Sequence, residues 1–168
     1  VKISPFAAAA AHAVVFVRTT LIGILLFPAA VTGSEAADRL SVSNAWARAT
    51  PPGSTVGGAY FTIVNHCKQP DTLVAVSSPV ADRVELHRTT VENGMSRMRP
   101  AGQIVITAGQ TMKAGPGGLH VMLLGLKNPL VAGKQVPLVL TFQQAGAITV
   151  QVDVQPIGSA APEGRADH

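Results

Sequence analysis

The stretch Ala147-Ile148-Thr149-Val150-Gln151-Val152-Asp153-Val154 decides the fold class. Ile148, Val150, Val152 and Val154 occupy every second position, with Thr149, Gln151 and Asp153 between them. An extended chain therefore puts the aliphatic groups on one face and the polar groups on the other. Working outward, short runs rich in Val, Ile, Leu and Thr recur between Pro, Gly and Asn turn signals from Arg39 to Gln155, leaving no room for a long amphipathic helix. Strands are expected at Leu40 to Ala49, Ala59 to Asn65, Thr72 to Ser77, Arg83 to Arg88, Met95 to Arg99, Gln103 to Ile106, Leu119 to Leu124, Val136 to Phe142 and Ala147 to Val154. About nine short strands predict an all-β domain, a Greek-key sandwich or small barrel. Turns fall at Pro51-Pro52-Gly53, Asn93-Gly94, Ala108-Gly109 and Gly115-Pro116-Gly117-Gly118. Asn93-Gly94 is a good hairpin signal, because both residues tolerate the positive φ such a turn requires.

The chain has 168 residues, 47% of them hydrophobic and 13% charged, with one Cys and a formal charge of +4. This composition fits one compact domain and excludes a multidomain enzyme or a disulfide-stapled scaffold. The positive mean hydropathy is concentrated at the N-terminus, where Val1 to Gly33 carries only Lys2 and Arg18 around the apolar runs Phe6 to Val17 and Leu21 to Val31. Neither run reaches the roughly 20 residues a membrane-spanning helix needs. Followed by Ser34-Glu35-Ala36, they read as a secretory signal peptide cleaved after Ala36, with an uncleaved N-terminal anchor as the alternative. The expected division is a leader at 1–36, a β domain at 37–155 and a small, polar, flexible tail at 156–168. In an oxidising compartment Cys67, alone in the chain, has no intrachain disulfide partner. Without Lys2, Arg18 and Glu35 the exported chain keeps a net charge of +3, scattered without a basic run, so no nucleic-acid surface is expected.

Within the exported part, His66, His87, His120 and His168 are the histidines and Met95, Met98, Met112 and Met122 the methionines. In the strand from Leu119, His120 and Met122 are two residues apart and share a face, with Leu119, Val121 and Leu123 on the other. In the strand from Arg83, the side chains of Arg83, Glu85 and His87 oppose those of Val84 and Leu86, which sets His87 on the non-core side. The Asn93-Gly94 turn then brings Met98 back toward His87. Two imidazoles and two thioethers form a soft, uncharged donor set that suits Cu(I), whereas Zn(II) prefers thiolate, imidazole or carboxylate.

The spacing of His87, Met98, His120 and Met122 resembles the motif of the PCu(A)C periplasmic copper chaperones, a His followed by ten residues, Met, twenty-one residues, and His-x-Met. The resemblance extends over about Leu40 to Val154. It includes Ala45-Trp46-Ala47-Arg48-Ala49-Thr50-Pro51-Pro52, Gly58-Ala59-Tyr60, Arg97-Met98-Arg99-Pro100, Gly117 to Leu126 and Leu140-Thr141-Phe142. Arg88 departs from it, standing where many members carry an optional Met beside the first His. The resemblance implies a cupredoxin-like β fold, a Cu(I) site made of the four side chains, and a monomer in the periplasm. It also implies delivery of copper to the Cu(A) subunit of cytochrome c oxidase, alongside Sco-type proteins.

Other candidates fit less well. Met95 lies an odd number of residues from Met98 and faces the other side of a regular strand. Met112 is ambiguous. His66-Cys67 sits in a loop-like stretch outside the motif, and His168 with Asp167 is a single His in a flexible tail. Trp46 and Tyr60 read as core or turn-packing residues. Two non-enzymatic alternatives remain beside the chaperone reading: a metal-free β-sandwich interaction module, and a blue-copper electron-transfer protein, which needs a Cys close to its C-terminal His and Met. No nucleophile with an acid/base partner and no Gly-rich phosphate loop is present, so an enzyme is not expected.

Overall fold

A computed structural model describes residues 39–160. The expected leader to Ala36, and the expected tail beyond Ala160 with His168, lie outside the described residues. Ten strands follow one another without an intervening helix. They are β1 (Leu40–Arg48), β2 (Val56–Asn65), β3 (Asp71–Ser77), β4 (Ala81–Glu92), β5 (Met95–Pro100), β6 (Ile104–Ile106), β7 (Thr111–Ala114), β8 (Leu119–Leu126), β9 (Gln135–Phe142) and β10 (Gly146–Gln155).

All ten belong to one sheet in the order β5-β4-β8-β2-β1-β10-β9-β3-β6, with β7 paired to β2 beside this path. Every pairing is antiparallel except β1 with β10, where Trp46 stands opposite Asp153. The alternation that decided the fold class recurs in β10, where Val152 and Val154 are buried and Thr149, Gln151 and Asp153 are exposed. The inward faces of the other strands supply Ala59, Phe61 and Ile63 from β2, Leu119, Val121 and Leu123 from β8, and Leu138, Leu140 and Phe142 from β9. The sheet rolls around this core. A groove lined by Val74 and Val76 of β3 and by Val84 and Leu86 of β4 marks where two non-adjacent strands approach.

The strand count is ten, one more than the periodicity indicated. The extra element is β7, whose four residues alternate exposed Thr111 and Lys113 with buried Met112 and Ala114. It pairs with Phe61 to Val64 of β2. Four residues between glycine-containing turns are too few for a period of two to stand out. β7 also settles Met112, which is a core residue 8% exposed. β4 runs past its expected end at Arg88, because Thr89, Thr90 and Val91 continue a β-branched strand to the turn. At that turn Asn93 (φ 52°) and Gly94 (φ 76°) adopt the left-handed conformations that a two-residue hairpin needs. Beyond β10, Pro156 to Ser159 form a turn, and Arg48 donates from Nε to the Ser159 carbonyl at 3.0 Å.

Candidate metal centre

Three adjacent strands, β5, β4 and β8, build the site on the face that turns away from the core. In an antiparallel pair, directly opposed residues project to the same side. His87 of β4 stands opposite His120 of β8, and Glu85 stands opposite Met122. On the other flank of β4, Met98 of β5 stands opposite Thr89. Because Glu85, His87 and Thr89 alternate along β4, all four sequence-chosen residues share one face. His87 is the hub, with His120 directly across and Met122 and Met98 on its two diagonals, within reach of long side chains.

The four residues differ in environment. His120 is 8% exposed. Its Nδ1 donates to the Gly118 carbonyl at 2.9 Å, a partner supplied by the last residue of the Gly115-Pro116-Gly117-Gly118 turn. The His87 ring is nearly covered, and its Nε2 donates to Glu85 Oε2 at 2.8 Å. Its Nδ1 is fully buried and has no hydrogen-bond partner, which among buried polar groups calls for an explanation. The other Glu85 oxygen, Oε1, accepts from Arg83 Nε at 2.9 Å. Both Glu85 oxygens are thus engaged by its neighbours on the same strand face. The His87 hydrogen bond chiefly holds its carboxyl below the ordinary value of 4.5; partial burial opposes this, and the positive charge of Arg83 reinforces it.

The ring centres of His87 and His120 are 6.2 Å apart, with their planes inclined by 47°. An ion about 2 Å from a ring nitrogen lies roughly 3 Å from that ring's centre, so this separation is at the outer limit for one ion shared by both rings and corresponds to a nearly linear arrangement of the two nitrogens about it. Met122 is half-buried beside them. Across β8 it faces Gly58 of β2. A side chain at Gly58 would come within 3.3 Å of the Tyr60 hydroxyl. Tyr60 in turn packs on Trp46 with ring centres 4.5 Å apart. Met98 differs from the other three. It is 53% exposed on an edge strand whose six residues are all exposed.

The structure thus gathers His87, His120 and Met122 on the sheet and sets Met98 at its rim. Met95, opposite Glu92, projects from the other face. His66 bonds to Ser41 Oγ at 2.8 Å, and Cys67 Sγ contacts the Arg39 carbonyl at 3.6 Å. Both follow the end of β2 remote from Gly58, seven strand residues or roughly 23 Å away. Sequence reasoning passed over Arg83, Glu85, Gly118 and Gly58. The signal for the first two was Arg-x-Glu-x-His at strand spacing, which read only as a polar face.

The family model for LpqE-like lipoproteins matches residues 40–154. The chain belongs to the LpqE-like family. Among its relatives, Lxx21020 of Leifsonia xyli subsp. xyli, named as a lipoprotein, is 35% identical over 132 residues, 78% of each chain. The solution structure of Cu(I)-DR1885 from Deinococcus radiodurans is similar to this LpqE-like chain with a TM-score of 0.57 at 32% identity, covering 73% of this chain and 82% of that one. The apo PmoF2 PCuAC domain gives a TM-score of 0.61 at 24% identity, covering 73% and 94% respectively, a likeness of fold. The LpqE-like chain is therefore of the PCuAC type, with the all-β, cupredoxin-like architecture that the motif implied.

Proposed function

We propose that this chain is an exported, periplasmic copper chaperone that holds one Cu(I) through His87, His120, Met122 and Met98 and hands it to a partner protein. The Cu(A) centre of cytochrome c oxidase is the recipient we infer, with Sco-type proteins alongside. One observation carries this reading: two imidazoles face each other across β4 and β8, each tied at one ring nitrogen, with a thioether beside them. Neutral nitrogen and thioether donors match a soft monovalent ion and leave only a single positive charge to accommodate. Among the described residues no group of three or more His, Cys, Asp and Glu gathers, so the harder donor sets that favour Zn(II) have no counterpart there. The Cu(I) form of DR1885, a 32% identical relative, supports the choice of metal.

The uneven burial of the ligands suits a carrier. His87 and His120 are held by hydrogen bonds, whereas Met98 sits exposed on the rim strand. An incoming ligand from a recipient displaces Met98 first and reaches the ion while the sheet still holds it. This stepwise exchange distinguishes delivery from storage and from catalysis.

Anaerobic Cu(I) titration against a competing chelator tests the reading. The expected result is one Cu(I) per chain, lost in both His120→Ala and Met122→Ala. Unchanged binding in either variant overturns the assigned site, and no binding by the wild type leaves a metal-free interaction module.

A further inference from the structure

The proposed Cu(I) site contains two histidines, and the structure treats them as opposites. A backbone carbonyl can only accept a hydrogen bond, so the His120 contact to Gly118 O places the proton on Nδ1 and leaves the Nε2 lone pair bare. An ionised carboxylate also only accepts, so the His87 contact to Glu85 places the proton on Nε2 and leaves Nδ1 bare. That bare Nδ1 is the one buried side-chain nitrogen or oxygen among the described residues without a hydrogen-bond partner. The two rings therefore present unlike nitrogens.

We infer that Glu85, braced by Arg83, is a positioning residue that fixes the His87 tautomer, so that the ion is taken by Nδ1 of His87 and Nε2 of His120. This rests on the proposed role of His87 and His120 as ligands. Arg83, Glu85 and His87 follow one another at alternate positions on one strand face, so a flat β4 suffices to line up guanidinium, carboxylate and imidazole. The Arg83 contact at 2.9 Å holds one carboxylate oxygen and directs the other at the ring, 2.8 Å from Nε2. A carboxylate behind a ligating imidazole also raises the donor strength of the opposite nitrogen. The same carboxylate supplies a negative charge on the site's face, from a position opposite Met122.

Tautomers are read directly in the apo protein by long-range proton–nitrogen correlation spectra of 15N-labelled histidine, at a pH where the imidazoles are neutral. The expected wild-type pattern is a bare Nδ1 at His87 and a bare Nε2 at His120. Glu85→Leu is expected to shift His87 to the mixed tautomers of a free imidazole, while His120 stays as it was. Glu85→Gln, whose amide oxygen still accepts, is expected to keep the wild-type tautomer. Cu(I) affinity should fall about 10- to 100-fold in Glu85→Leu and by less in Glu85→Gln. An unchanged His87 tautomer in Glu85→Leu overturns the positioning role. Addition of Cu(I) to the wild type separates this inference from the function on which it rests. If both histidines respond but His87 loses its Nε2 signal instead of Nδ1, the ligand assignment here is wrong and the copper site stands. If neither histidine responds, the copper site itself fails.

Discussion

His87 and Met98 mark the two extremes among the proposed ligands: one is a nearly covered ring held by a carboxylate, the other a half-exposed thioether on an edge strand. Removing Met98 therefore deletes a contact that already competes with water. We expect Met98→Ala to weaken Cu(I) binding by about tenfold, about 1.4 kcal/mol, and to speed release to a chelator. His120→Ala should cost far more, and chelator competition on the two variants checks the order. Glu85 adds a pH dependence with a definite sign. Its folded-state carboxyl lies below 4.5, so its contacts stabilise the apo fold above that value and fade as the pH falls through the lower, folded value. Denaturant titrations below pH 5 should show a smaller acid loss in Glu85→Gln than in the wild type. At this scale the sequence was most informative about the donors themselves, because His-x-Met on a strand puts both on one face. It was least informative about their hydrogen-bond partners. That Glu85 turns toward His87, and that Gly118 offers its carbonyl to His120, depend on rotamers and turn geometry that spacing does not encode.

Among the elements, the β4–β5 hairpin and the β9–β10 hairpin play different parts. The first reaches beyond β8, since the last β4 residue paired to β8 is Arg88; past it, the Thr89 amide donates to the Gly118 carbonyl at 3.1 Å and the β4–β5 ladder continues to the turn. Asn93-Gly94 sets that register and so fixes Met98 opposite Thr89. The β9–β10 hairpin is tied to β3 by Asp71. One carboxylate oxygen accepts from the Thr72 and Gln144 amides at 2.7 and 3.0 Å, and the other accepts from the Ala145 amide at 2.9 Å. Asp71 is 7% exposed, so Asp71→Ala strands three backbone donors. The expected loss is about 2–4 kcal/mol of fold stability by chemical denaturation, with Cu(I) affinity of the folded protein unchanged. Most of these elements could be read in advance from alternating Val, Ile and Leu between turn residues. β7 could not, because Thr111-Met112-Lys113-Ala114 gains its strand character only by pairing with Phe61 to Val64 of β2, fifty residues earlier in the chain. Asp71 was equally hidden, since a carboxylate at a strand start reads as a turn residue until the β9–β10 turn packs against it.

For the molecule as a whole, core and site occupy opposite faces of the same strands. Leu86, Val121 and Leu123 pack inward from β4 and β8, while His87, His120 and Met122 project outward from them. Folding is therefore expected not to depend on metal. Stripping copper with a chelator should leave a folded domain, and loading should stabilise it only by mass action, by about 4 kcal/mol at a thousandfold excess of free ion over Kd, with a corresponding rise in melting temperature. Calorimetry on both forms checks this, and an unfolded apo chain would contradict it. The same separation sets the site on the outer face of the sheet, as the proposed delivery requires, with the core beneath it. The most direct test of the central claim is X-ray absorption at the copper edge of the Cu(I)-loaded protein. The account predicts a shell of two imidazole nitrogens and thioether sulfur, unchanged in Cys67→Ser. A shell without sulfur, or one that loses its sulfur in Cys67→Ser, would contradict it.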